Sequence, residues 1–115
     1  MPTQPIESLA GLDGRNAERF RRGQMPLDAT LDLHGMTQDE AHGALMSFLD
    51  RCYAAGRRNL LIVTGKGKLG DGVLKRALPR WLNEPGQRAR IVAIAGARQN
   101  HGGGGATYVL LKRKR

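Results

Sequence analysis

The chain has 115 residues, of which 40% are apolar and 4% aromatic, and it carries a formal net charge of +9 at pH 7. This length suits one domain with a single modest core, and the apolar content excludes a wholly disordered chain. No apolar run approaches the roughly 20 residues that a membrane-spanning helix needs. The N-terminus also lacks the basic-then-apolar pattern of a secretion signal. We therefore expect a cytoplasmic protein with no membrane partner.

The charge is distributed unevenly along the chain. Residues 1–50 carry four Arg and eight acidic residues, whereas residues 51–115 carry fifteen Lys or Arg and two acidic residues, Asp71 and Glu84. A basic half that ends in KRKR is typical of proteins that bind polyanions, and here it favours the phosphates of nucleic acid. The alternative is a basic surface that serves only solubility.

The first predicted unit is an N-terminal arm, residues 1–27, which contains three of the five prolines. Its one helical candidate has Asp13 as a possible N-cap and Gly23 as a stop. The apolar content of this helix is thin, so we expect it to dock on the folded unit instead of forming one.

The folded unit is predicted to cover residues 28–112, followed by a basic tail at residues 113–115. It begins with a strand at residues 29–33, ATLDL, and continues with a long helix. Thr37 and Glu40 form a capping-box signature for the start of that helix.

This helix is expected to end at Gly56 and to bury one face of apolar residues at helical spacing, namely Ala41, Leu45, Phe48 and Cys52. Cys52 is the single cysteine, so it has no partner within the chain for a disulfide. We interpret it as a small core residue and not as a nucleophile.

The remaining elements alternate between strands and helices. NLLIVT is too apolar for an edge strand with one wet face, so it is predicted to be a central strand. A second helix is predicted from near Asp71 through GVLKRALPRWLNE, with Pro79 either kinking it or starting a new helix. Two strands follow, RIVAIAG and ATYVLLK. The order β-α-β-α-β-β favours an α/β two-layer sandwich with a four-stranded mixed sheet.

The stretch after NLLIVT reads GKGKLG, which matches the G-x-G-x-x-G spacing of a dinucleotide-binding turn. Such a site needs an Asp or Glu at the end of the next strand to bind the ribose, and RIVAIAG has neither. The loop instead holds Lys66 and Lys68 between glycines, whose amides can approach a phosphate closely. The sequence therefore predicts a phosphate-binding loop and no dinucleotide cofactor.

Two further segments carry polar groups beside turns. Asp32 and His34 are predicted to leave the same face at the end of the first strand. An aspartate beside an imidazole can orient the ring as a general acid or base, although Asp32 could instead only brace the turn. The loop ARQNHGGGG supplies Arg98 and His101 next to four glycines. This loop suits close approach of backbone to a ligand, with a mobile hairpin-like connection as the alternative.

Three segments together resemble the Smr (small MutS-related) domain family in its stand-alone bacterial form: LDLHGMTQDEA, IVTGKGK followed by GVLKRALPRWL, and HGGGGATYVLL. The resemblance covers residues 28–112. It implies a fold similar to the C-terminal domain of translation initiation factor three. It also implies nucleic-acid binding and, in many members, endonuclease activity on DNA or RNA.

The resemblance assigns catalysis to Asp32 and His34. Many members have a histidine where this chain has Thr64, so His101 would have to substitute for it. The family's glycine motifs, together with the basic residues beside them, give the predicted nucleic-acid-binding set of Thr64, Gly65, Lys66, Gly67, Lys68, Arg98, Gly103, Gly105 and Thr107.

We expect a sequence-tolerant endonuclease with no resident metal site. On RNA a 2′-hydroxyl can be the nucleophile, whereas on DNA water must attack and a divalent metal would be expected to help. The alternatives are a non-catalytic module that binds nucleic acid or the ribosome, and a protein–protein adaptor.

Overall fold

The computed structural model describes residues 14–65 and 72–114. In chain order these residues form α1 (Gly14–Arg21), β1 (Ala29–Asp32), α2 (Gln38–Ala55), β2 (Asn59–Val63), α3 (Val73–Leu82), α4 (Pro85–Arg88), β3 (Ile91–Gly96) and β4 (Ala106–Leu111). Two 3₁₀ turns, Gln99–His101 and Gly103–Gly105, connect β3 to β4. The predicted N-cap Asp13, the predicted helix start Asp71 and the loop residues Lys66, Gly67 and Lys68 lie outside the described residues.

The four strands form one mixed sheet in the order β1-β2-β4-β3. β1 runs parallel to β2, and β4 runs antiparallel to both of its neighbours. β2 is an internal strand, and its residues Asn59–Ile62 are buried. These findings confirm the predicted mixed α/β fold and the predicted central position of NLLIVT.

The ends of α2 are fixed by local hydrogen bonds that the sequence predicted. The backbone N–H of Glu40 donates to Thr37 Oγ1 at 3.1 Å, and the backbone N–H of Thr37 donates to Glu40 Oε1 at 2.9 Å. Gly56 ends the helix in the left-handed region with φ 75°. The turn before the helix, which carries His34, is closed by the backbone N–H of Met36, which donates to the carbonyl of Leu33 at 3.1 Å.

Cys52 lies on the buried face of α2 and is 4% exposed. It packs in the same core as Leu45 and Phe48, as predicted. Burial raises the pKa of its thiol, which keeps the side chain protonated and apolar in character.

The second long helix does not divide at Pro79, which excludes one of the two predicted alternatives. α3 is continuous through this residue, although proline cannot donate a backbone hydrogen bond to the carbonyl of Lys75. Burial of Leu78 and Leu82 on the same face holds the helix together across that gap. The break occurs instead at Pro85, which occupies the first turn of α4.

The two faces of the sheet are covered by different helices. Leu60 and Ile62 face the core beneath α2 and α3. Leu61 and Tyr108 face the opposite side, where they pack with Phe20 of α1, which is 1% exposed. The short N-terminal helix is therefore docked on the sheet. In the described part of the chain, no helix has the length and apolar character required to cross a bilayer.

Candidate functional site

The candidate site begins where β1 ends, at Asp32. Leu31 faces the core beneath α2 and α3, so strand alternation directs the neighbouring Asp32 side chain to the opposite face. The turn that follows carries His34 and Gly35, and Gly35 adopts φ 82°. His34 Nδ1 lies 2.7 Å from Asp32 Oδ1, and the same oxygen accepts the backbone N–H of His34 at 3.0 Å. The predicted proximity of the two side chains is thus present in the structure.

Hydrogen bonding favours the ionised form of Asp32. Hydrogen bonds from the His34 ring and then from the His34 backbone N–H lower the pKa of Asp32 below its usual range, against a smaller opposing effect of burial. A carboxylate ionised at neutral pH only accepts hydrogen bonds, so the ring proton shared with it must lie on Nδ1. Nε2 of the neutral ring is then a proton acceptor that faces away from Asp32. The side chains of His34 and Asp32 are 69% and 52% exposed, so a substrate can reach them.

The loop after β2 lies directly beside His34. The backbone N–H of Leu33 donates to the carbonyl of Val63 at 2.7 Å, which continues the parallel pairing past the end of β1. A Cβ added to Gly65 would lie 3.5 Å from His34 Cβ, and Gly65 adopts φ 83°. The start of the first glycine loop and the histidine therefore share one side of the site.

Thr64 joins this loop to the second glycine loop. The backbone N–H groups of Thr64 and Gly65 both donate to the carbonyl of Gly105, at 2.9 and 3.0 Å. The Thr64 hydroxyl lies 3.2 Å from the carbonyl oxygen of Gly65 and 3.4 Å from that of Gly105. The residue is 8% exposed, so the structure places its side chain inside the protein as a brace between the two loops.

The second glycine loop forms two consecutive 3₁₀ turns. Gly102 and Gly103 adopt φ 112° and 50°, which side chains rarely allow. A Cβ on Gly102 would lie 2.9 Å from Ala106 Cβ. Gly103 and Gly105 are buried, whereas Gly104 is exposed at the surface of the turn. The exposed backbone of this turn is thus the part that a ligand can approach.

Lys75, which was not predicted as a site residue from the sequence, lies beside the second glycine loop. It is exposed in the first turn of α3, and a Cβ on Gly104 would lie 3.6 Å from its Nζ. The ammonium group therefore lies against the second glycine loop. The sequence position of this lysine could have predicted an anion contact, because it follows a glycine-rich loop at the N-terminus of a helix, where anions commonly bind.

His101 is held at the other side of the second glycine loop. Its Nδ1 lies 2.5 Å from Tyr108 Oη, which also accepts the backbone N–H of Arg98 at 3.3 Å. Tyr108 faces the same side of the sheet as Asp32. Its strand β4 lies two positions from β1 in the sheet, which corresponds to about 10 Å between the two strands. His101 and the exposed Arg98 therefore border the same face as the Asp32–His34 pair, but the structure shows no contact between the two histidines.

Thr107 lies apart from this group. It pairs with Ile62 and Gly96, so its side chain shares the face of Ile62 beneath α2 and α3. The sheet thus separates Thr107 from Tyr108 and His101. Within the described ranges 14–65 and 72–114, no group of three or more His, Cys, Asp and Glu side chains is arranged to hold a metal ion.

Comparison with known proteins identifies relatives of the whole folded unit. The family model of the Smr domain matches residues 31–112. The chain is 33% identical to "Probable DNA endonuclease SmrA" of Escherichia coli (strain K12), over 96% of this chain and 60% of the relative. It is 35% identical to "Ribosome rescue factor SmrB" of Aliivibrio salmonicida, over 88% of this chain and 54% of that protein. The chain thus spans little more than half the length of these curated relatives.

Two solved structures share the fold. YdaL, a stand-alone small MutS-related protein from Escherichia coli, superimposes with a TM-score of 0.75 and 33% identity, covering 96% of this chain and 86% of YdaL. The Smr domain of Thermus thermophilus MutS2 gives a TM-score of 0.63 and 30% identity, covering 73% of this chain and 98% of that domain. The family match and these structures show that the chain belongs to the Smr domain family.

Proposed function

We propose that this Smr domain protein binds nucleic acid and cleaves its phosphodiester bonds, with His34 as the general acid or base and Asp32 as its positioning residue. One observation carries the proposal: an exposed histidine is hydrogen bonded at 2.7 Å to a carboxylate with a lowered pKa. Gly65, where the first glycine loop starts, lies beside His34 and is hydrogen bonded to Gly105 of the second glycine loop, and backbone amides in glycine loops can bind a phosphate. One relative of the chain is named a probable DNA endonuclease.

The geometry supports proton transfer at Nε2 of His34. Because Asp32 holds the proton of the ring on Nδ1, the neutral ring can take a proton at Nε2 from an attacking oxygen. The resulting imidazolium is stabilised by the carboxylate and can return the proton to the leaving oxygen. On RNA the attacking oxygen is the 2′-hydroxyl. On DNA it is water, and a divalent metal ion bound with the substrate would assist it.

The phosphate group would be held by the loops that adjoin each other at the end of β2 and the start of β4, next to the turn that carries His34. Gly65 and Gly104 expose backbone without a Cβ, and Lys75 supplies a positive charge beside Gly104. Arg98 is an exposed cation at the same end of the sheet, after β3. Contacts of this kind are made to phosphates and not to bases, so they suit a sequence-tolerant enzyme. The predicted roles of Lys66, Gly67 and Lys68 belong to the same proposal.

The test is cleavage of labelled RNA and labelled DNA by wild-type protein and by His34→Ala, each with and without EDTA. His42→Ala is the matched control, because His42 pairs with Glu84 at 2.8 Å and packs on Trp81 between α2 and α3. We expect cleavage by wild type and His42→Ala, and loss of at least about 100-fold in His34→Ala. Equal rates in wild type and His34→Ala would refute the catalytic role. Inhibition by EDTA of DNA cleavage alone would identify the metal-assisted route.

A second candidate is a non-catalytic module that binds structured or ribosomal RNA. Thr64 favours it, because this buried brace offers no titratable group where many family members have histidine, and His101 is engaged with Tyr108. Several relatives are named ribosome rescue factors. This candidate predicts salt-sensitive RNA binding that His34→Ala leaves intact, with no cleavage by the wild type. Both candidates place the protein in the cytoplasm.

A further inference from the structure

A basic surface lies at the end of the sheet opposite the candidate site. β2 begins there at Asn59, and β4 ends there at Leu111. The surface, which we call the basic end, consists of Arg51, Arg57, Arg58, Lys112, Arg113 and Lys114. Asp32, Thr64 and Ala106 lie at the other end of the same strands.

Hydrogen bonds hold the basic end together. Arg58 Nε donates to the carbonyl of Leu111 at 2.9 Å, which ties the start of β2 to the end of β4. Lys114 Nζ donates to the carbonyl of Ala54 at 3.0 Å, at the end of α2. The C-terminal basic residues therefore lie against the arginines that follow α2.

The acidic side chains that the structure places near the basic end are already engaged. Asp28 Oδ2 accepts the backbone N–H groups of Arg58 and Asn59 at 2.9 and 3.0 Å. Asp50 pairs with Arg90 at 2.5 Å. Arg51, Arg57 and the residues after β4 thus keep an excess of positive charge available to a partner.

The shape of the basic end suits a polyanionic strand. Arg51 and Arg57 line an open cleft of about 510 Å³ together with Phe48 and Cys52. On this side the guanidinium carbon of Arg90 lies over the ring of Tyr53, 4.8 Å from the centroid of the ring. A helix that binds a membrane surface instead exposes aromatic rings on an apolar face, so the charge and contacts favour nucleic acid over a lipid surface.

The distance between the two ends sets the length of nucleic acid that reaches both. Arg58 and Thr64 are six residues apart along an extended strand, which corresponds to about 20 Å. Duplex nucleic acid rises about 3.4 Å per base pair, so roughly six base pairs span that distance.

We infer that the basic end is a second nucleic-acid-binding surface, which holds the backbone about six base pairs from the bond at His34. The contact at His34 rests on the proposed function, whereas the contact at the basic end rests on charge and geometry. It implies that a substrate must extend past the site to bind with full affinity.

The test compares two double variants that remove equal charge and the same residue type. Arg57→Ala/Arg113→Ala alters the basic end, and Arg15→Ala/Arg80→Ala removes two exposed arginines from α1 and α3. Binding of a 20-base-pair duplex and of a four-nucleotide strand is measured over a range of salt concentration, after circular dichroism shows that both variants are folded.

We expect the basic-end variant to bind the long duplex roughly tenfold more weakly. The salt slope, which is the slope of the logarithm of the binding constant against the logarithm of salt concentration, should be smaller in magnitude by about one to two units. The control should change less than about threefold, and the four-nucleotide strand should bind all proteins alike. Equal losses in the two double variants, or equal losses for short and long substrates, would overturn the inference. Binding to vesicles containing an anionic lipid is measured in parallel, and a loss confined to those vesicles would also overturn the inference.

This binding experiment and the cleavage assay with His34→Ala together separate the inference from the proposed function. If wild type binds the long duplex through the basic end but His34→Ala and wild type cleave alike, the endonuclease proposal fails and the inference stands. If His34 is required for cleavage but Arg57→Ala/Arg113→Ala binds like wild type, the inference fails and the endonuclease proposal stands.

Discussion

Replacing Asp32 by Asn tests how the carboxylate assists His34. Asp32 Oδ1 accepts both the ring Nδ1–H and the backbone N–H of His34, and an amide oxygen at that position can accept the same two bonds. The substitution therefore preserves the turn and removes mainly one negative charge, 2.7 Å from the ring. We expect the effect on cleavage to come from weaker stabilisation of the imidazolium.

The size of that effect follows from distance and exposure. Both side chains are more than half exposed, so a water-like dielectric applies, and two unit charges at this separation then interact by about 1.5 kcal/mol. That energy corresponds to a cleavage rate roughly tenfold lower, well short of the loss of at least about 100-fold expected for His34→Ala. Substrate affinity should not fall, because Asp32 repels phosphates and does not bind them.

The assay is single-turnover cleavage at saturating protein, with Asp39→Asn as the control. Asp39 is an exposed residue in the first turn of α2, so this control removes the same charge a short distance from His34. Cleavage by Asp39→Asn should stay within about twofold of wild type. A wild-type rate for Asp32→Asn would contradict the reasoning and would leave the carboxylate as a brace of the turn.

Three further predictions concern binding and stability. Lys75→Ala should raise KM a few-fold and lower the salt slope of binding by about one unit with kcat little changed; an unchanged slope would remove Lys75 from the phosphate contacts. Thr64→Val should lower the free energy of unfolding by about 1 kcal/mol in a urea titration, because the hydroxyl bonds to the loops are lost, and a neutral result would contradict the bracing role. The folded-state pKa of Asp32 is below its usual value of 3.8, so its stabilising contribution is present above about pH 4 and is lost as pH falls through the lowered pKa. The difference in unfolding free energy between wild type and Asp32→Asn should therefore be larger at pH 6 than at pH 3, and a constant difference would refute the linkage.

Features set by neighbouring residues were predictable from the sequence. The helix start at Thr37 and Glu40 and the stop at Gly56 depend on side chains within a few residues, and the structure has all three. The Asp32–His34 contact was predictable for the same reason, since the residues are two apart in a strand and turn.

Features that depend on packing were not predictable in this way. The helix continues through Pro79 because Leu78 and Leu82 are buried on the same face, and local propensity does not contain that information. Lys75 reaches Gly104 only because α3 packs beside the turn before β4. Thr64 faces inward because the backbone of β2 pairs with Gly105 across the sheet, and no spacing within NLLIVT indicates this pairing.

The central claim is that His34 supplies proton transfer at a bound phosphodiester, and its most direct test measures binding and cleavage in the same samples. Wild type and His34→Ala are titrated with one labelled RNA, first for the dissociation constant and then for the single-turnover cleavage rate at saturation. The account predicts dissociation constants within about threefold of each other and a cleavage rate at least about 100-fold lower for His34→Ala. Equal cleavage rates at equal occupancy would contradict it.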